Sequence, residues 1–478
     1  MRSSLTVFCL AAMAAPAFAD GPPPVPLTRA EMKRMMEESK LDRPRLSATP
    51  SANADISVSL RGTAAVQMLL PKELRDGFSF FMTDGRLMEM SKFALRNPAI
   101  TESPTAPSAR GPKVERDPNM TMEWAYRTMI FWVVSRSNNC IYCMGHQESS
   151  LPAVGVTEDR IAALDGDWSE FTLAERAAFA LARKMTVAPH TIVDADIEAV
   201  RRHYADLQVL EMTGLVAGFN AMNRWTGPLR LTQEGFREFL TPTSSKYASI
   251  VTKVGPVPGG VVGARCAPAA MDRPALEPRS EVEAKWDECR ARKARFPLVD
   301  PSAVRAILAE GTLPADRPVP NWVRLLLNFP KAGPAKVSTL SLSRTKGAVP
   351  AKLKAQLAWV SARADRSWYA LAEARDRLRA LGASDDAIFG IDTASEGEFT
   401  PAERAAFAFA RKLTIDPARI DDADFDAMKA HYSDALIAEI LFHTNHSIFF
   451  NLLTETAGLP LDDAPDKAVS SPASGGQG

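Results

Sequence analysis

The chain has 478 residues, of which 46% are hydrophobic and 24% are charged, and its 57 basic residues balance its 57 acidic residues. This composition is typical of a soluble globular protein of several domains, and it excludes a collagen, a disordered tail, a membrane channel and a disulfide-dense mini-protein. The zero net charge and the lack of a long basic run argue against nucleic acid and against a membrane surface as partners.

The first 19 residues have the pattern of a secretory signal peptide. Arg2 is the positive residue, an apolar stretch runs from Leu5 to Ala15, and Ala17-Phe18-Ala19 has the form of an A-x-A cleavage site. The apolar stretch is too short to span a bilayer. The sequence therefore predicts an exported protein, periplasmic or secreted, in which residues 20–59 form an N-terminal linker.

An internal repeat organises the rest of the chain. Residues 171–187 read FTLAERAAFALARKMTV, and residues 399–415 read FTPAERAAFAFARKLTI. The match continues downstream at the same offset and upstream at an offset one residue smaller. We therefore predict two homologous tandem domains that are joined by a Pro/Gly-rich linker and followed by a disordered tail. The predicted bounds are 60–245 and 300–465 for the domains, 246–299 for the linker and 466–478 for the tail.

Each domain is predicted to be helical. The shared segment consists of strong helix formers with apolar residues at spacings of three and four. A capping box begins the segment in both copies, at Thr172 with Glu175 and at Thr400 with Glu403. Another helical pattern covers residues 122–135, whereas alternating strand patterns are scarce. The expected fold class is all-α.

Four cysteines follow the predicted signal peptide, in two adjacent pairs. Cys140 and Cys143 form a C-x-x-C motif, and Cys266 and Cys289 lie in the predicted linker. An even number of cysteines in an oxidising compartment favours disulfides, and bonding within each adjacent pair is the simplest of the three connectivities. We therefore expect a disulfide between the two linker cysteines.

The two repeats differ at the residues that could carry chemistry. The first repeat has two thiols and an imidazole at Cys140, Cys143 and His146. At the aligned positions the second repeat has side chains without redox chemistry, which are Ser367, Ala370 and Glu373. We therefore expect the second repeat to be inactive and to serve assembly. It would pair with the first repeat within one chain, and homo-oligomers are possible.

The spacing of the motif favours thiol chemistry. Asn138 or Asn139 could cap a helix whose first turn holds Cys140, where the helix dipole favours a thiolate. Residues three apart share a helix face, so that Cys140 meets Cys143 and Cys143 meets His146. An imidazole can ionise a thiol, and a second thiol can resolve a sulfenic acid as a disulfide.

Two other interpretations of the motif compete with catalysis. A zinc site would need a fourth ligand that no neighbouring residue obviously supplies, and a stable structural disulfide is common in exported proteins. A haem attachment site is excluded because Met144, and not a histidine, follows Cys143. We expect no cofactor and no bound metal.

The chain resembles the carboxymuconolactone decarboxylase-like superfamily, and most of all its AhpD-like alkylhydroperoxidase branch. Three segments carry the resemblance: SRSNNCIYCMGH, AERAAFALARKMT and FNAMNR. It covers about residues 120–230, with residues 355–455 as a degenerate second copy. The resemblance implies an all-helical fold, oligomerisation through helical faces, and reduction of a hydroperoxide at the expense of a thiol reductant.

The resemblance also implies a role for each site residue. Cys143 would be the peroxide-reactive thiol, Cys140 its resolving partner, and His146 part of a proton relay. The relay glutamate of the family falls at Thr128, whose hydroxyl cannot do acid–base work at neutral pH. The competing functions are a non-enzymatic assembly protein with a stable disulfide and, ranked lower, a decarboxylase, because the decarboxylating members lack the C-x-x-C motif.

Overall fold

The structure is a computed structural model, and all the regular secondary structure that it describes is helical. No β-sheet forms among the described residues. Their fold is all-α, as predicted. The described residues are 28–46, 66–76, 78–82, 117–235, 237–246, 275–308, 312–313, 318–394 and 397–462. The predicted signal peptide, the C-terminal tail and Cys266 lie outside these ranges.

The helices that precede residue 246 include those of the first repeat. They are α1 (Arg29–Glu38), α2 (Lys72–Asp76), α3 (Trp124–Ser137), α4 (Ile141–Ser150), α5 (Glu158–Ala163), α6 (Leu173–Val187), α7 (Asp194–Arg201) and α8 (Asp206–Thr226). The long helix α3 packs against α4, α6 and α8. The C-x-x-C motif therefore lies at the start of a helix that is held against the centre of this group.

The helices after residue 275 include those of the second repeat. They are α9 (Arg279–Arg290), α10 (Pro301–Ile307), α11 (Asn321–Leu326), α12 (Ala332–Thr345), α13 (Ala351–Asp365), α14 (Trp368–Ala380), α15 (Asp385–Gly390), α16 (Pro401–Ile415), α17 (Asp422–Lys429) and α18 (Asp434–Thr456). Helices α13 to α18 follow one another as α3 to α8 do, and α13 packs against α14, α16 and α18. The division into two domains stays a prediction.

The capping boxes form at the start of α6 and α16. The Thr172 hydroxyl accepts a hydrogen bond from the Glu175 amide at 3.2 Å, and the Glu175 carboxylate accepts one from the Thr172 amide at 2.9 Å. Thr400 and Glu403 make the same two bonds at 3.1 and 3.0 Å. Each box satisfies two main-chain N–H groups that a helix start otherwise leaves without partners.

Both predicted linkers contain a helix, which is a difference from the sequence-based boundaries. Helix α1 lies within 20–59 and packs against α4, and α9 lies within 246–299 and packs against α14. Each helix buries few apolar residues, such as Met32 and Met36 in α1 and Trp286 in α9. The short apolar stripe among many charged residues gave too weak a periodic signal for a helix to be predicted.

The most extensive helix contact of the described chain joins the two repeats through α8 and α18. Arg224 on α8 reaches beyond this contact: its Nε donates to the Leu413 carbonyl at 3.1 Å and its Nη2 to the Thr414 carbonyl at 3.0 Å. Main-chain carbonyls at the end of α16 are thereby satisfied by a side chain of the first repeat. In the described part of the chain, no helix combines the length and the apolar character that crossing a membrane requires.

Candidate functional site

Cys140 is itself the residue that caps α4, so the expectation that Asn138 or Asn139 caps this helix is wrong. Cys140 has extended backbone angles (φ −85°, ψ 93°), and its carbonyl accepts the Met144 amide at 2.9 Å. Asn139 adopts a positive φ of 49°, a conformation that asparagine tolerates better than most residues. The Asn138 side chain instead donates into the core, to Asn220 Oδ1 at 3.0 Å.

The two thiols of the motif meet at one hydroxyl group. Thr226 Oγ1, on the last turn of α8, lies 3.2 Å from Cys140 Sγ and 2.9 Å from Cys143 Sγ. The same hydroxyl is 3.0 Å from the Met222 carbonyl. Because a threonine hydroxyl has one hydrogen to donate, it can satisfy that carbonyl or one sulfur at a time. Thr226 is therefore placed to turn its hydrogen towards a thiolate when one forms.

The surroundings of the two thiols favour ionisation of Cys140 before Cys143. Burial raises the pKa of Cys140, but hydrogen bonds from Cys143, Thr226 and two main-chain amides outweigh burial and lower it. Burial raises the pKa of Cys143 well above the usual value, and donation of its hydrogen to Cys140 raises it further. Cys140 stands at the N-cap position of α4, where the helix dipole also favours a thiolate, although its sulfur makes no capping hydrogen bond of regular geometry.

Cys143 lies at a cavity that Cys140 does not line. The cavity has a volume of about 240 Å³, and its walls are mostly apolar and aromatic. Phe131 and Phe219 stack in the wall with ring centroids 4.0 Å apart and planes 9° apart. The described lining residues are Phe81, Trp124, Arg127, Thr128, Phe131, Tyr142, Cys143, His146, Gln147, Ser150, Phe219, Met222 and Thr226. A medium-sized apolar molecule could therefore reach the Cys143 sulfur.

His146, also at the cavity, belongs to a carboxylate network that the sequence did not predict. His146 Nε2 lies 3.0 Å from Glu234 Oε2, and its Nδ1 lies 3.2 Å from Arg237 Nη2. Since the guanidinium group can only donate, Nδ1 accepts from Arg237, and the hydrogen of the neutral ring lies on Nε2. Nε2 faces the Glu234 carboxylate without a hydrogen bond of regular geometry. The Tyr142 hydroxyl donates to Glu234, at 2.9 Å. Both ring nitrogens of His146 thus face groups outside the thiol pair.

The electrostatics of this network favour a neutral imidazole next to a carboxylate. Burial lowers the pKa of His146, and the neighbouring Arg237 lowers it further. Burial raises the pKa of Glu234, but His146 and Arg237 outweigh burial and hold it well below the usual range. At neutral pH the pair is therefore a neutral donor and a charged acceptor, which is an arrangement able to pass a proton.

The carboxylate beside His146 belongs to Glu234, and Thr128 takes no part in this network. The Thr128 hydroxyl donates to the Trp124 carbonyl at 2.9 Å, within its own helix. Glu234 reaches the site from the segment after α8, a position far along the chain from the motif. The second repeat also has a carboxylate at the position equivalent to Glu234. This residue, Asp462, accepts a hydrogen bond from the Tyr369 hydroxyl at 2.7 Å.

Helix α4 is fixed from behind by a buried ion network. Arg29 and Lys33 of α1 lie 2.7 and 3.5 Å from the Glu148 carboxylate of α4, and both also contact Glu158. The Arg29 side chain is fully buried. A buried ion pair holds its geometry well, because moving one charge away leaves the other buried without a partner of opposite sign. A segment predicted as a linker thus orients the helix that carries Cys143.

Cys289 lies apart from the site. It is a free thiol on α9, buried, and its Sγ donates to the Leu459 carbonyl at 3.3 Å. Burial raises its pKa to about 12. Its predicted partner Cys266 lies outside the described residues, so the disulfide stays a prediction. Within the described ranges, no group of three or more His, Cys, Asp or Glu side chains is placed to hold a metal ion.

The sequence was compared with family models and with curated proteins. No family model matches. The chain is 30% identical over 102 residues to the uncharacterized protein YdfG of Bacillus subtilis (strain 168), a match that covers 20% of this chain and 69% of YdfG. The chain belongs to the YdfG family. This membership rests on a fifth of the chain, and YdfG is itself uncharacterized.

Solved structures that match part of the chain include two of the debrominase Bmp8. One, a variant in complex with 2,3,4-tribromopyrrole, is 22% identical and gives a TM-score of 0.29 over 31% of this chain and 79% of that chain. The other, the apo form, is 18% identical with a TM-score of 0.28 over 40% of this chain and 92% of that chain. The YdfG match and these two structures each leave more than half of this chain uncovered.

Proposed function

We propose that the chain is a thiol oxidoreductase that reduces hydroperoxides with the Cys140–Cys143 pair. One observation carries the proposal: two thiols share the Thr226 hydroxyl, and one of them lines an apolar cavity of about 240 Å³. A sulfur at a cavity can meet a substrate, and a second sulfur in reach can resolve the oxidised product. A purely structural pair would need neither a cavity nor a proton network beside it.

The two cysteines take different parts in the proposed reaction. Cys143 passes its proton to the Cys140 thiolate and attacks the outer peroxide oxygen. The O–O bond breaks, an S–O bond forms, and the alkoxide takes up one proton and leaves as an alcohol. The Cys140 sulfur then attacks the sulfenic acid at Cys143, an S–S bond forms, and water leaves. Two electrons pass to the peroxide, and a thiol reductant later returns two electrons and two protons.

The protonation of the leaving alkoxide is assigned to the network around His146. His146 and Tyr142 line the cavity; the Tyr142 hydroxyl donates to Glu234, and His146 Nε2 lies 3.0 Å from the same carboxylate. A donor at the cavity wall that is backed by a carboxylate can give a proton to the alkoxide and regain one from solvent. Glu234 thus takes the part that the family resemblance assigned to position 128.

The walls of the cavity favour a hydroperoxide with an apolar body over hydrogen peroxide. Four aromatic rings besides Tyr142 line it, those of Phe81, Trp124, Phe131 and Phe219. Burial of apolar surface contributes roughly 25 cal/mol for each Å². Hydrogen peroxide has no such surface to bury, so its binding gains nothing from these walls.

We further propose that the chain is an AhpD-like member of the carboxymuconolactone decarboxylase-like superfamily and that it works in an exported, oxidising compartment. The helical motif with Cys140, Cys143 and His146 and the all-α fold support this. Pairing of the repeats within one chain is supported by the contact of α8 with α18. Homo-oligomers and the identity of the reductant stay predictions.

The test is peroxide consumption by the purified, fully reduced protein. We expect consumption of cumene hydroperoxide with excess dithiothreitol as reductant, and loss of two thiols per peroxide in a single turnover without reductant. Cys143→Ser should abolish turnover, and Cys140→Ser should stop the cycle after a single oxidation at Cys143. Cys289→Ser is the matched control, because this buried thiol lies outside the site. Equal turnover by the wild type and Cys143→Ser would overturn the proposal.

A further inference from the structure

A short segment that packs between helices of the two repeats forms part of the cavity wall. Residues 78–82 lie between α8 and α18, with the Phe78 ring 5.3 Å from Trp225 and 5.5 Å from Phe442. The Phe80 ring lies 6.0 Å from the same two rings. Because one partner ring belongs to each repeat, the position of this segment depends on both.

Lys336 of the second repeat binds the main chain of this segment. Its amine group donates to the Phe80 carbonyl at 2.8 Å and lies 3.2 Å from the Ser79 carbonyl. It also lies 3.8 Å from the centroid of the Phe449 ring, and the whole side chain is buried. A buried amine that donates to main-chain carbonyls fixes those carbonyls, because neither side has water as an alternative partner.

Two glycines of α8 let the segment approach the helix closely. A Cβ atom at Gly218 would lie 2.9 Å from the Phe80 carbonyl oxygen, and one at Gly214 would lie 2.8 Å from the Met82 methyl group. The first of these contacts is with main chain, which cannot turn away as a flexible side chain can. The segment therefore has one place to lie, between the glycine face of α8 and Lys336.

Phe81 links the position of residues 78–82 to the shape of the cavity. Its ring is 5.8 Å from Phe131 and 5.7 Å from Phe219, so it packs beside this stacked pair, and it lines the cavity that Cys143 lines. The main chain on the N-terminal side of Phe81 is the part that Lys336 holds. A shift of this main chain would therefore move a wall of the cavity without touching either thiol.

We propose that Lys336 is a positioning residue through which the second repeat sets the shape of the first repeat's substrate cavity, and hence which hydroperoxides Cys143 accepts. This inference rests on the proposed function. It gives the second repeat a part in substrate selection, in addition to the assembly role that its lack of cysteines suggests. The His446 ring, 4.9 Å from Phe80, is a second contact of the same kind.

The experiment compares a bulky and a small peroxide in the full-length protein. For Lys336→Met we expect the KM for cumene hydroperoxide to rise about tenfold, the size of effect that one lost fit in an apolar pocket produces. The kcat for that substrate and the kcat/KM for hydrogen peroxide should stay within about twofold, since the thiols do not move. An equal loss with both peroxides, or no change with either, would overturn the inference.

Two further variants separate this effect from general damage to the fold. Gly218→Ala should produce the same selective rise in KM by pushing on the Phe80 carbonyl, although alanine favours the helix. Lys354→Met is the matched control: Lys354 is a buried lysine of the same repeat whose partner is Glu439, at 2.8 Å. A selective KM change in Lys354→Met like that in Lys336→Met would also contradict the inference.

A binding measurement keeps the inference separate from the proposed function. Calorimetry with 2-phenyl-2-propanol, the alcohol that cumene hydroperoxide would yield, needs no turnover and uses Cys143→Ser as the host. We expect Lys336→Met in this host to weaken binding by about the same tenfold. If the wild type consumes no peroxide but this weakening is found, the proposed function fails and the inference about the wall stands. If binding is unchanged, the inference fails.

Discussion

Cys140 and Ser367 stand at the same backbone position of the two repeats. Each caps its helix, α4 or α14, with backbone angles of φ −85°, ψ 93° for the cysteine and φ −87°, ψ 94° for the serine. The Ser367 hydroxyl lies 3.3 Å from Thr454 Oγ1, as the Cys140 sulfur lies beside Thr226. The surrounding helices fix this geometry, and the reactive sulfur is not needed to form it.

The two repeats differ instead in the space beside this position. The cavity of about 240 Å³ at Cys143 has a counterpart of about 10 Å³ in the second repeat. There Arg344 lies 4.4 Å from the Phe450 ring and 3.2 Å from the Glu373 carboxylate, and these side chains fill the volume. A volume near 10 Å³ holds no more than one water molecule. Side-chain volume, and not backbone geometry, separates the two repeats.

Cysteines alone should therefore not activate the second repeat, and this is the largest effect that we predict. We expect S367C/A370C in a C140S/C143S background to form a disulfide between positions 367 and 370. Its consumption of cumene hydroperoxide should stay about a hundredfold or more below the wild type, because a substrate must reach the sulfur to react. Turnover within tenfold of the wild type would show that the cavity does not decide activity.

A buried arginine–aspartate pair is common to both repeats and allows a matched test of stability. Arg136 lies 3.2 Å from Asp165, and Arg363 lies 2.8 Å from Asp392. Asp165 is fully buried, and burial raises its pKa to about 6. Arg136→Met should lower the free energy of unfolding by about 3–5 kcal/mol, because it leaves a buried charge without compensation.

Arg363→Met should cost less than Arg136→Met, because Asp392 is partly exposed and also accepts from the Trp359 indole at 2.8 Å. Guanidinium-induced unfolding measures both variants. Asp165→Asn added to Arg136→Met is the control and should restore part of the loss. Equal losses in the two repeats would contradict the difference in burial.

The pH dependence of thiol alkylation tests the assignment of the thiolate. Because the pKa of Cys140 is lowered, its reactive thiolate persists at a lower pH than that of an ordinary thiol. Cys143→Ser should keep an alkylation midpoint below the usual cysteine value, with the serine hydroxyl as donor. Cys140→Ser should move the midpoint above that value, since burial raises the pKa of Cys143. Alkylation by iodoacetamide, followed by mass spectrometry, gives both midpoints, and the reverse order would assign the thiolate to Cys143.

The smallest predicted effect is a pair of equal losses at the capping boxes. Thr172→Ala and Thr400→Ala should each lower the free energy of unfolding by about 1 kcal/mol, the usual cost of losing such a cap. The bond lengths of the two boxes agree within 0.1 Å. Thermal unfolding compares them, with Thr→Ser at each position as the control that keeps the hydroxyl. A loss of stability confined to one repeat would show that the two capping boxes are not equivalent.

Local patterns predicted the all-α fold class and the position of a few helices. The capping boxes and the apolar periodicity of the repeat mark α6 and α16 within two residues of their actual ends. Helix α1 escaped prediction because its largest buried group, Arg29, is charged, and the carboxylates that pair with it lie more than a hundred residues away. The local pattern of hydrophobic residues carries no information about a partner that is distant in the sequence.

The candidate site was predictable where the repeats differ and not where they agree. Cys140, Cys143 and His146 were found because the second repeat lacks all three. Thr226 has its equivalent Thr454 in the second repeat, so a comparison that looks for differences between the repeats could not single it out. Glu234 joins His146 only through the path of the chain after α8, which no spacing in the sequence encodes.

Both sulfurs are enclosed, with only 3% of either cysteine exposed to solvent. Thiol–disulfide exchange requires the incoming thiolate to touch one of the bonded sulfurs. In the proposed cycle, a large folded reductase could not make this contact at its own surface. Electrons would have to arrive on a small thiol, or on a narrow extended arm, that enters by the passage the peroxide uses. Substrate and reductant would then exclude each other, and excess reductant would slow turnover competitively.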